Sequence, residues 1–427
     1  MRRIVRMAAA LAVVALAATA CSGGDKAGTS QAAKDPQSVE GTVTWWDTSD
    51  ATNEAPAFKE LVAKFEKQYP KIKVNYVNVP FDAAQNKFKT AAQSGSGAPD
   101  VFRSEVAWTP GFAKLGYLQP IDGTPAADGA EDYLAGPVAS TKFGGKTYGV
   151  PQVTDTLALL YNKELLAKAG VTPPKTMDEL KTAALAVKAK TGAGGVYLNP
   201  GGYFLLPFLY GEGGDLVDVD AKKITVNSPE AVKAVDRAKD LIASGAAMKP
   251  DFADGYNNMQ ASFKDGKVAM VINGPWSVAD DLSGPAFKKA DNLGIAPVPA
   301  GSSGKAGAPT GGHNYVIYAG SKQIDASYLF VKFMNSAENQ AFLASKLSLL
   351  PTRKTAYENA AVKDSAVVTS FGTVLETAKA RPAIPEGGDL FKPLDENYAK
   401  VLNGSSSTKK GLDDVASAYE QILTDWR

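Results

Sequence analysis

The chain has 427 residues, of which 44 % are hydrophobic and 21 % are charged. This is an ordinary composition for a soluble globular protein, and the length suits two domains or one large two-lobed body. The 46 basic and 45 acidic residues leave a formal net charge of +1. Such a balance gives no support for nucleic-acid binding and favours a partner that is neutral or that local residues recognise.

The N-terminus has the pattern of a secretory signal. MRRIVR carries three positive charges and precedes the apolar stretch MAAALAVVALAATA, which ends in small residues. That stretch is too short for a membrane-spanning helix, which needs about 20 residues. A positive start, a short apolar run and a small-residue exit predict that residues 1–20 are a signal peptide.

Cys21 is the only cysteine of the chain, so it cannot form an internal disulfide. The stretch LAATAC followed by SGG resembles a bacterial lipoprotein signal, although Ala18 stands where leucine is most common. We therefore expect cleavage before Cys21, lipidation of that residue and a durable membrane anchor. Residues 21–38 are small, polar and without periodicity, which predicts a flexible tether with a reach of roughly 20–25 Å.

Strands and helices alternate after the tether. Val43–Trp46 has the composition of a short strand, and apolar residues of APAFKELVAKFEKQY recur on one helical face. KIKVNYVNV alternates like a strand, FDAAQNKFKTAAQSG resembles a helix that ends in glycine, and DVF resembles a strand. This β-α-β-α-β order predicts a mostly parallel sheet covered by helices.

A second α/β region follows. TLALLY predicts a strand and KELLAKAG a short helix; Thr176 and Glu179 are spaced as the capping box of the next helix. Ser228 and Pro229 have the residue types that begin a helix. NNMQASFKDG predicts a helix that leads into the strand VAMVI, and NYVIYAG predicts a strand before two helices. The last seventy residues have helical patterns.

Two α/β regions with helices added at the end favour a two-lobed protein with a cleft. Ligands of open α/β sheets bind beyond the carboxyl ends of the strands. That rule selects the stretches WDTSD, RSEVAW and NGPW, each of which directly follows a predicted strand.

Few residues of the sequence are candidates for a catalytic role. His313 is the only histidine, and the phosphate-loop, HExxH and CxxC motifs are missing from the sequence. The GGHN context of His313 leaves two interpretations open, a ligand contact or a structural histidine. Carboxylates at strand ends are also candidates for glycoside hydrolysis, which needs two of them about 5–10 Å apart; they are Asp47, Asp50, Glu105 and Asp155.

A non-catalytic interpretation explains the same residues better. Neutral sugars bind to carboxylates and amides through their hydroxyl groups, and their apolar ring faces rest on aromatic side chains. Four aromatic residues have a Gly/Pro-rich context, in EVAWTPGF, NPGGYFL, NGPWSV and EGGDLFKP: Trp108, Tyr203, Trp276 and Phe391. Although any single aromatic residue is more often buried, four in the same context beside strand-end acids favour sugar binding.

Several ordered motifs resemble one known family. They are VTWWDTSD, GAPDVF, LALLYNKELLAKAGV with PPKTMDEL, FKDGKVAMVINGPWSV and LLPTRK, and they extend over nearly all of the mature chain. The chain resembles extracellular solute-binding proteins of bacterial ABC importers, in the group of maltose- and maltodextrin-binding proteins. The resemblance implies an α/β periplasmic-binding-protein-like fold of two lobes, each a mixed sheet flanked by helices, with a hinge and a cleft between the lobes.

The resemblance also implies a set of ligand contacts. They are Asp47, Ser49, Asp50, Glu105, Trp108, Asp155, Tyr203, Trp276 and Phe391. Trp276 and Tyr203 are expected to stack on sugar rings, and Asp155 to accept hydrogen bonds from sugar hydroxyls. Phe391 falls roughly where maltose binders have tryptophan, so this chain departs from the family pattern there.

The resemblance finally implies an organisation and a role. We expect a first lobe of residues 39–153 with 309–358 and a second lobe of residues 154–308 with 359–427. The expected function is capture of maltose or maltodextrin for a membrane permease, without catalysis, cofactor or metal, by a monomer that is lipid-anchored at the outer face of the cell membrane. The alternatives are binding of trehalose or another α-linked or plant oligosaccharide, and, from a different class, a surface-anchored glycoside hydrolase.

Overall fold

A computed structural model describes residues 35–426. The predicted signal peptide, Cys21 and residues 22–34 of the predicted tether lie outside the described residues. Pro36–Ser38 form a single 3-10 turn shortly before the first strand, which begins at Gly41. None of the helices within residues 35–426 is both long and apolar enough to cross a membrane.

The described residues contain fourteen strands. In chain order they are β1 (Gly41–Asp47), β2 (Ile72–Asn78), β3 (Val101–Glu105), β4 (Lys142–Phe143), β5 (Lys146–Thr147), β6 (Gly149–Thr156), β7 (Ala158–Asn162), β8 (Gly194–Tyr197), β9 (Val217–Asp218), β10 (Lys223–Ile224), β11 (Ala247–Met248), β12 (Val268–Asn273), β13 (Leu293–Ala296) and β14 (Thr310–Ile317).

The same residues contain sixteen α-helices. They are α1 (Ala55–Gln68), α2 (Phe81–Ser94), α3 (Thr109–Lys114), α4 (Ala135–Ala139), α5 (Lys163–Ala169), α6 (Met177–Thr191), α7 (Gly202–Gly211), α8 (Pro229–Ala243), α9 (Gly255–Lys264), α10 (Val278–Ser283), α11 (Ile324–Met334), α12 (Ala337–Leu347), α13 (Ala360–Lys363), α14 (Ala366–Leu375), α15 (Phe391–Leu402) and α16 (Thr408–Ile422).

The first five-stranded sheet has the order β2-β1-β3-β14-β6. As the β-α-β-α-β pattern predicts, β1 pairs in parallel with both β2 and β3. The sheet as a whole is mixed rather than mostly parallel, because β14 returns antiparallel to β3 and to β6. We call the body around this sheet the first lobe; its core is centred on Trp45, which packs edge-on against Phe58 and Tyr315.

The second five-stranded sheet has the order β11-β8-β12-β7-β13, and we call the body around it the second lobe. β8 runs parallel to β11 and β12, whereas β7 is antiparallel to β12 and β13. The predicted strands TLALLY and VAMVI are therefore neighbours, as β7 and β12. Both are almost completely buried, since helices cover the two faces of the sheet.

The chain crosses between the two sheets at neighbouring points. It leaves the first sheet at the end of β6 and enters the second at β7, with only Leu157 between them. It returns between β13 and β14, whose first residues Thr310 and Gly311 pair with Thr156 and Asp155. The crossing thus brings Asp155 to the boundary of the two sheets, while the exact lobe boundaries stay a prediction.

Local sequence explains where several helices begin. The predicted cap of α6 is confirmed: the Thr176 hydroxyl accepts from the Glu179 N–H at 3.1 Å. The Glu179 carboxylate reaches one residue beyond the cap and accepts from the Lys175 N–H at 2.7 Å. Ser228 caps α8, with Pro229 as its first helical residue. Each contact satisfies an N–H that lacks a partner within the helix.

The shortest elements had no sequence prediction. The hairpins β4-β5 and β9-β10 and the edge strand β11 have only two residues in each strand. Two residues cannot show a period-2 pattern, so hydrophobic periodicity gives no indication of such strands. β8 was not predicted either, because two of the four residues of GGVY are glycines, which are depleted in strands, and β13 lacks clear alternation in LGIA.

The LLPTRK stretch has a structural role in the first lobe. Gln340 on α12 accepts hydrogen bonds from the N–H groups of Thr352 (2.8 Å) and Arg353 (2.9 Å). Its amide nitrogen donates to Asn335 and to the Thr352 hydroxyl, both at 2.9 Å. The Gln340 side chain therefore satisfies a stretch of backbone that would otherwise be buried without partners.

Gln340→Met should keep the side-chain volume and remove every one of these hydrogen bonds. Two buried N–H groups would lose their acceptor, at about 1–3 kcal/mol for each group. We expect the free energy of unfolding, measured by urea denaturation, to fall by about 2–4 kcal/mol. Glu338→Gln on the exposed side of α12 is the matched control, and an equal effect of the two variants would contradict the assigned role.

Candidate functional site

Arg381 is the centre of a buried polar cluster at the crossing between the two sheets. Its side chain is 8 % exposed and forms an ion pair with Glu105, the last residue of β3. Nε of Arg381 donates to the Thr310 carbonyl at 2.9 Å. The second Glu105 oxygen accepts from the Ala107 N–H at 2.8 Å. Protein groups therefore hold both the cation and the carboxylate in fixed positions.

Asp155 on β6 lies beside this cluster and is buried. The Tyr203 hydroxyl donates to its Oδ1 over 3.5 Å. Burial raises the pKa of Asp155 to about 7; the charge of Glu105 raises the pKa further, and that of Arg381 opposes the shift. A Cβ on Gly311 would lie 2.2 Å from the same oxygen, so this close approach requires glycine at position 311.

Aromatic residues form a continuous belt in the second lobe. We define this aromatic belt as Trp276, Tyr256, Phe204, Tyr203 and Phe391. Trp276 Nε1 donates to the Tyr256 hydroxyl at 2.9 Å, and ring centroids are 6.3 Å apart for Tyr256–Phe204, 5.9 Å for Phe204–Tyr203 and 6.4 Å for Tyr203–Phe391. The structure thus brings three of the four predicted aromatic contacts into one surface.

The Gly/Pro-rich contexts of these aromatic residues are helix starts rather than open loops. Tyr203 lies in the first turn of α7, Phe391 begins α15, and Trp276 lies in the 3-10 turn Pro275–Ser277. Trp108 directly precedes α3. Proline and glycine are common where a helix begins, which explains why these aromatic residues share a Gly/Pro-rich context.

The turn after β12 places Trp276 by hydrogen bonds and close packing. The Gly274 N–H donates to the Asn273 side-chain oxygen at 2.9 Å, and Asn273 Nδ2 donates to Gln260 at 3.1 Å. The indole folds back over Gly274, where a Cβ would lie 1.9 Å from the ring. Its ring also packs against the hydrophobic cores of both lobes.

A buried network lies under the same turn. Gln260 Nε2 donates to Asp281 Oδ1 at 2.8 Å, and the Ser277 hydroxyl donates to Oδ2 at 3.0 Å. Burial raises the pKa of Asp281 to about 8, and the neighbouring charge of Asp280 contributes. This network fixes the segment that carries Trp276, and nothing in the sequence pattern indicated it.

The first polar loop is mostly engaged with its own protein. Asp47 is fully buried and accepts from the Tyr76 hydroxyl (2.6 Å), from the Ser49 N–H (3.1 Å) and from the Ser49 hydroxyl. Asp50 accepts from the N–H groups of Thr52 and Asn53. Asp47 and Asp50 therefore organise the loop before α1, and a ligand contact by Asp47, Ser49 or Asp50 stays a prediction.

Glu54, which the sequence analysis did not select, lies at the start of α1 in the first lobe. One carboxylate oxygen accepts from the Asp50 N–H at 2.9 Å. The other oxygen is buried without a hydrogen-bond partner among the described residues, and burial raises the pKa of the group despite the charge of Arg103. Its charge also contributes to the raised pKa of Tyr256, where burial is the larger cause.

Trp108 belongs to a separate stack in the first lobe. Its ring lies 6.2 Å from Phe102 at 12° and 5.1 Å from Phe81 at 34°, and it is 7 % exposed. Little of the indole is left for a ligand, so its predicted role as a sugar platform stays untested. Phe81 covers Trp108, is itself exposed and was not singled out in the sequence.

A long segment joins the two lobes beside this stack. Lys114 forms an ion pair with Glu386, and Lys89 with Asp389, both at 2.5 Å. Gln85 also donates to Asp389 at 2.9 Å. Helices α2 and α3 of the first lobe thereby contact the stretch that leads from Arg381 to α15. Within residues 35–426, no group of three acidic, histidine or cysteine side chains is arranged to hold a metal ion.

Residues 50–341 match the family described as bacterial extracellular solute-binding protein. The chain belongs to this family. Members of the family are binding proteins, and the predicted family resemblance and two-lobed fold class are confirmed.

Three relatives illustrate the range of ligands. The GacH receptor of Streptomyces glaucescens is 52 % identical to this chain, with a TM-score of 0.88. The match covers 91 % of this chain and 100 % of that chain. GacH was solved unliganded and in complex with acarbose and an acarbose homologue. The diacetylchitobiose-binding protein DasA of Streptomyces coelicolor is 28 % identical over 95 % of each chain. The maltooligosaccharide ABC transporter solute-binding lipoprotein of Streptococcus pneumoniae is 25 % identical over 86 % of each.

Asp281→Asn should change how the stability of this family member depends on pH. The pKa of Asp281 is about 8 in the folded protein, against an ordinary pKa of 3.8, so between these pH values the folded state binds a proton that the unfolded state does not. The wild-type free energy of unfolding should therefore decrease as pH rises through this window, by at most about 1.4 kcal/mol per pH unit from this group.

Urea unfolding at pH 5 to 9 measures this contribution. The stability of Asp281→Asn relative to wild type should rise with pH up to about pH 8. Asp265→Asn, at an exposed position of the same lobe, controls for the loss of one negative charge. Parallel curves for wild type and Asp281→Asn would contradict a buried neutral carboxyl group.

Proposed function

We propose that the protein is the substrate-binding component of an ABC importer that captures maltose or maltodextrin in the cleft between its lobes. In this proposal the ligand is delivered to a membrane permease without chemical change. Cys21 carries the lipid that holds the protein at the outer face of the cell membrane, and the protein acts as a monomer.

The aromatic belt beside the buried acids at the crossing is the observation that carries the proposal. Tyr203 belongs to the belt and also donates to Asp155. Aromatic rings offer apolar surface to the faces of sugar rings, while carboxylates accept hydrogen bonds from the hydroxyl groups at their edges.

The relatives support the same ligand class. The GacH receptor, at 52 % identity, was solved with acarbose, and the pneumococcal relative is named for maltooligosaccharides and as a lipoprotein. The name of DasA gives diacetylchitobiose, which adds a second candidate class of oligosaccharide. The lipoprotein name of the pneumococcal relative agrees with the role proposed for Cys21.

Closure of the lobes would couple capture to transport. Asp155 and Gly311 lie where the chain crosses between the sheets, and the Arg381–Glu105 ion pair connects β3 to that crossing. A ligand that contacts both lobes binds the closed state more tightly than the open state and so shifts the population towards closure. The permease would then recognise the closed form.

Isothermal titration calorimetry against a sugar panel tests the proposal. The panel contains maltose, maltotriose, acarbose, trehalose and diacetylchitobiose, with chromatographic analysis of each sample after titration. We expect tight binding of the α-linked glucosides and no products. Turnover of a bound sugar would favour the glycoside hydrolase alternative, and exclusive binding of trehalose or diacetylchitobiose would reassign the ligand.

Trp276→Ala should weaken sugar binding roughly 10–100-fold, which corresponds to about 1.4–2.8 kcal/mol. The reason is loss of an apolar platform from the aromatic belt. Trp276→Phe is the matched control: it keeps an aromatic face but is smaller than the indole and lacks the Nε1 donor to Tyr256, so its affinity should lie between those of wild type and Trp276→Ala. Calorimetry gives the affinities, and thermal unfolding reports on the fold.

A different outcome would assign Trp276 a role in packing instead of ligand binding. Its ring packs against both cores, so some loss of stability is expected from Trp276→Ala. If the variant has a lower unfolding temperature but unchanged affinity at a temperature where it is folded, Trp276 is a packing residue and not a sugar platform.

Cys21→Ser should release the protein from membranes. Serine cannot take the thioether-linked lipid, so cell fractionation should find the variant outside the membrane fraction while the wild type remains with it. The purified variant should bind sugars with wild-type affinity, because residue 21 precedes the described body. Membrane association of Cys21→Ser equal to that of wild type would contradict lipidation at this residue.

A further inference from the structure

A short segment before α15 connects the second lobe to the first outside the aromatic belt. We call residues 382–389 the inter-lobe strap. It is anchored in the second lobe, because Ile384 and Leu390, which directly follows the strap, are buried in the core cluster of that lobe. The strap is folded into a turn, in which the Asp389 N–H donates to the Glu386 carbonyl at 2.9 Å.

Two acidic side chains of the strap form ion pairs with the first lobe. Glu386 accepts from Lys114 on α3 at 2.5 Å. Asp389 accepts from Lys89 on α2, also at 2.5 Å. Gln85, one helical turn before Lys89, donates to the same Asp389 oxygen at 2.9 Å. The charged groups of both pairs are partly exposed to solvent, so dissolved salt weakens these pairs.

Backbone packing brings the strap equally close to the first lobe. A Cβ on Gly111 of α3 would lie 2.4 Å from the carbonyl oxygen of Pro385. A Cβ on Gly388 would lie 2.6 Å from Cδ1 of Trp108. Neither distance leaves room for a methyl group, so the strap and α3 approach this closely only because glycine stands at both positions.

The strap contacts do not involve the residues at which the chain crosses between the sheets. The crossings described above lead from β6 to β7 and from β13 to β14, whereas the strap meets α2 and α3. A rotation of one lobe about the crossings moves the surfaces that lie away from them. Side chains that are 2.5 Å apart would separate in such a movement, so the ion pairs require the arrangement of the lobes seen here.

We propose that the inter-lobe strap is an electrostatic latch that sets ligand affinity without touching the ligand. The ion pairs form when the lobes close and break when the lobes open, so they lower the free energy of the closed state alone. Because measured affinity includes the free energy of closure, the latch strengthens binding of a ligand that closes the lobes. This inference rests on the proposed function.

A neutral sugar is a suitable probe of the latch. An uncharged ligand has no ionic attraction to the protein that salt could screen, and the buried pair of Arg381 and Glu105 is screened much less than an exposed pair. Salt therefore acts on sugar binding chiefly through the strap. Two exposed ion pairs with modest contributions correspond to a change in affinity of about two- to fivefold.

Isothermal titration calorimetry with maltotriose, between about 0.02 M and 1 M sodium chloride, measures this effect. We expect the wild-type affinity to fall about two- to fivefold over this range. Glu386→Gln combined with Asp389→Asn should bind more weakly than wild type at low salt and should show no salt dependence. Asp364→Asn combined with Glu376→Gln removes the same charge from exposed positions outside the strap and should behave as wild type.

Exchange of one pair of charges tests the interaction itself. Glu386→Lys places two lysines opposite each other and should weaken maltotriose binding about fivefold at low salt. Lys114→Glu combined with Glu386→Lys restores an opposite pair and should return the affinity to within about twofold of wild type. A residue that only supports the local fold would not be rescued in this way.

Gly111→Ala tests the close packing without a change of charge. The added methyl group meets only the Pro385 carbonyl, so it should hinder closure and weaken maltotriose binding about tenfold. The ligand-free unfolding temperature should not decrease, since alanine is the better helix former. Gly136→Ala on α4 of the first lobe is the matched control, because its added Cβ has no atom within 4 Å.

The outcomes separate the latch from the function on which it rests. If the wild type binds maltotriose with an affinity that does not depend on salt, or with the same salt dependence as the strap variant without acids, the latch is wrong and the proposed function stands. Gly111→Ala with wild-type affinity and a lower ligand-free unfolding temperature also overturns the latch. If the wild type binds no sugar of the panel, the proposed function fails, and the latch fails with it.

Discussion

A guanidinium buried at the crossing between two sheets is the constraint on which the geometry of the site depends. A buried cation without partners destabilises a fold by several kcal/mol, about 3–5 kcal/mol when one partner of a pair is removed. Arg381 obtains its partners from both lobes. Glu105 comes from β3 and the Thr310 carbonyl from β14, while the rings of Tyr203 and Phe391 lie 5.3 and 5.5 Å from the guanidinium. Because these groups all contact the Arg381 guanidinium, they hold Glu105 of the first lobe at a fixed position relative to the aromatic belt of the second lobe.

The pairing of β14 with β6 transmits this constraint to Asp155. Gly311 stands opposite Asp155 in the ladder, and the absence of a side chain there lets the carboxylate and the Tyr203 hydroxyl approach the strand. A methyl group at this position would lie 2.2 Å from the carboxylate and 2.8 Å from the hydroxyl, so even alanine would separate them. Burial raises the pKa of Asp155 to about 7. Since this value lies near neutral pH, a charged group that enters the cleft would change the protonation state of Asp155.

Local patterns predicted most of the long elements and the positions of some candidate site residues. The position of Trp276 beyond its strand was predictable because the apolar strand, the turn residues and the aromatic residue are consecutive. The capping role of Thr176 was predictable because a cap depends on a residue three positions away. Arg381 was not predictable: its partner Glu105 is 276 positions away, and no local pattern distinguishes an arginine that pairs in the core from one on the surface. The same limit applies to Trp108, whose Gly/Pro-rich context matches that of Trp276, although its ring is largely covered by Phe81 and Phe102. Local sequence patterns indicate where a residue lies on its helix or strand, whereas the tertiary fold determines which residues its side chain contacts.

The energetics of closure favour a ligand of several rings over a single sugar. A shift of a two-state equilibrium from 1:99 to 99:1 needs about 5.5 kcal/mol of differential affinity. An aromatic contact contributes about 0.5–1.5 kcal/mol beyond area burial, as measured for aromatic pairs. One aromatic contact on one platform therefore supplies only part of the difference, and hydrogen bonds and further contacts supply the rest. The aromatic belt lies in the second lobe, whereas Glu54, Glu105 and Phe81 belong to the first. A ligand whose rings and hydroxyl groups reach both sets at once gains binding energy from both lobes, and an oligosaccharide does so by its length.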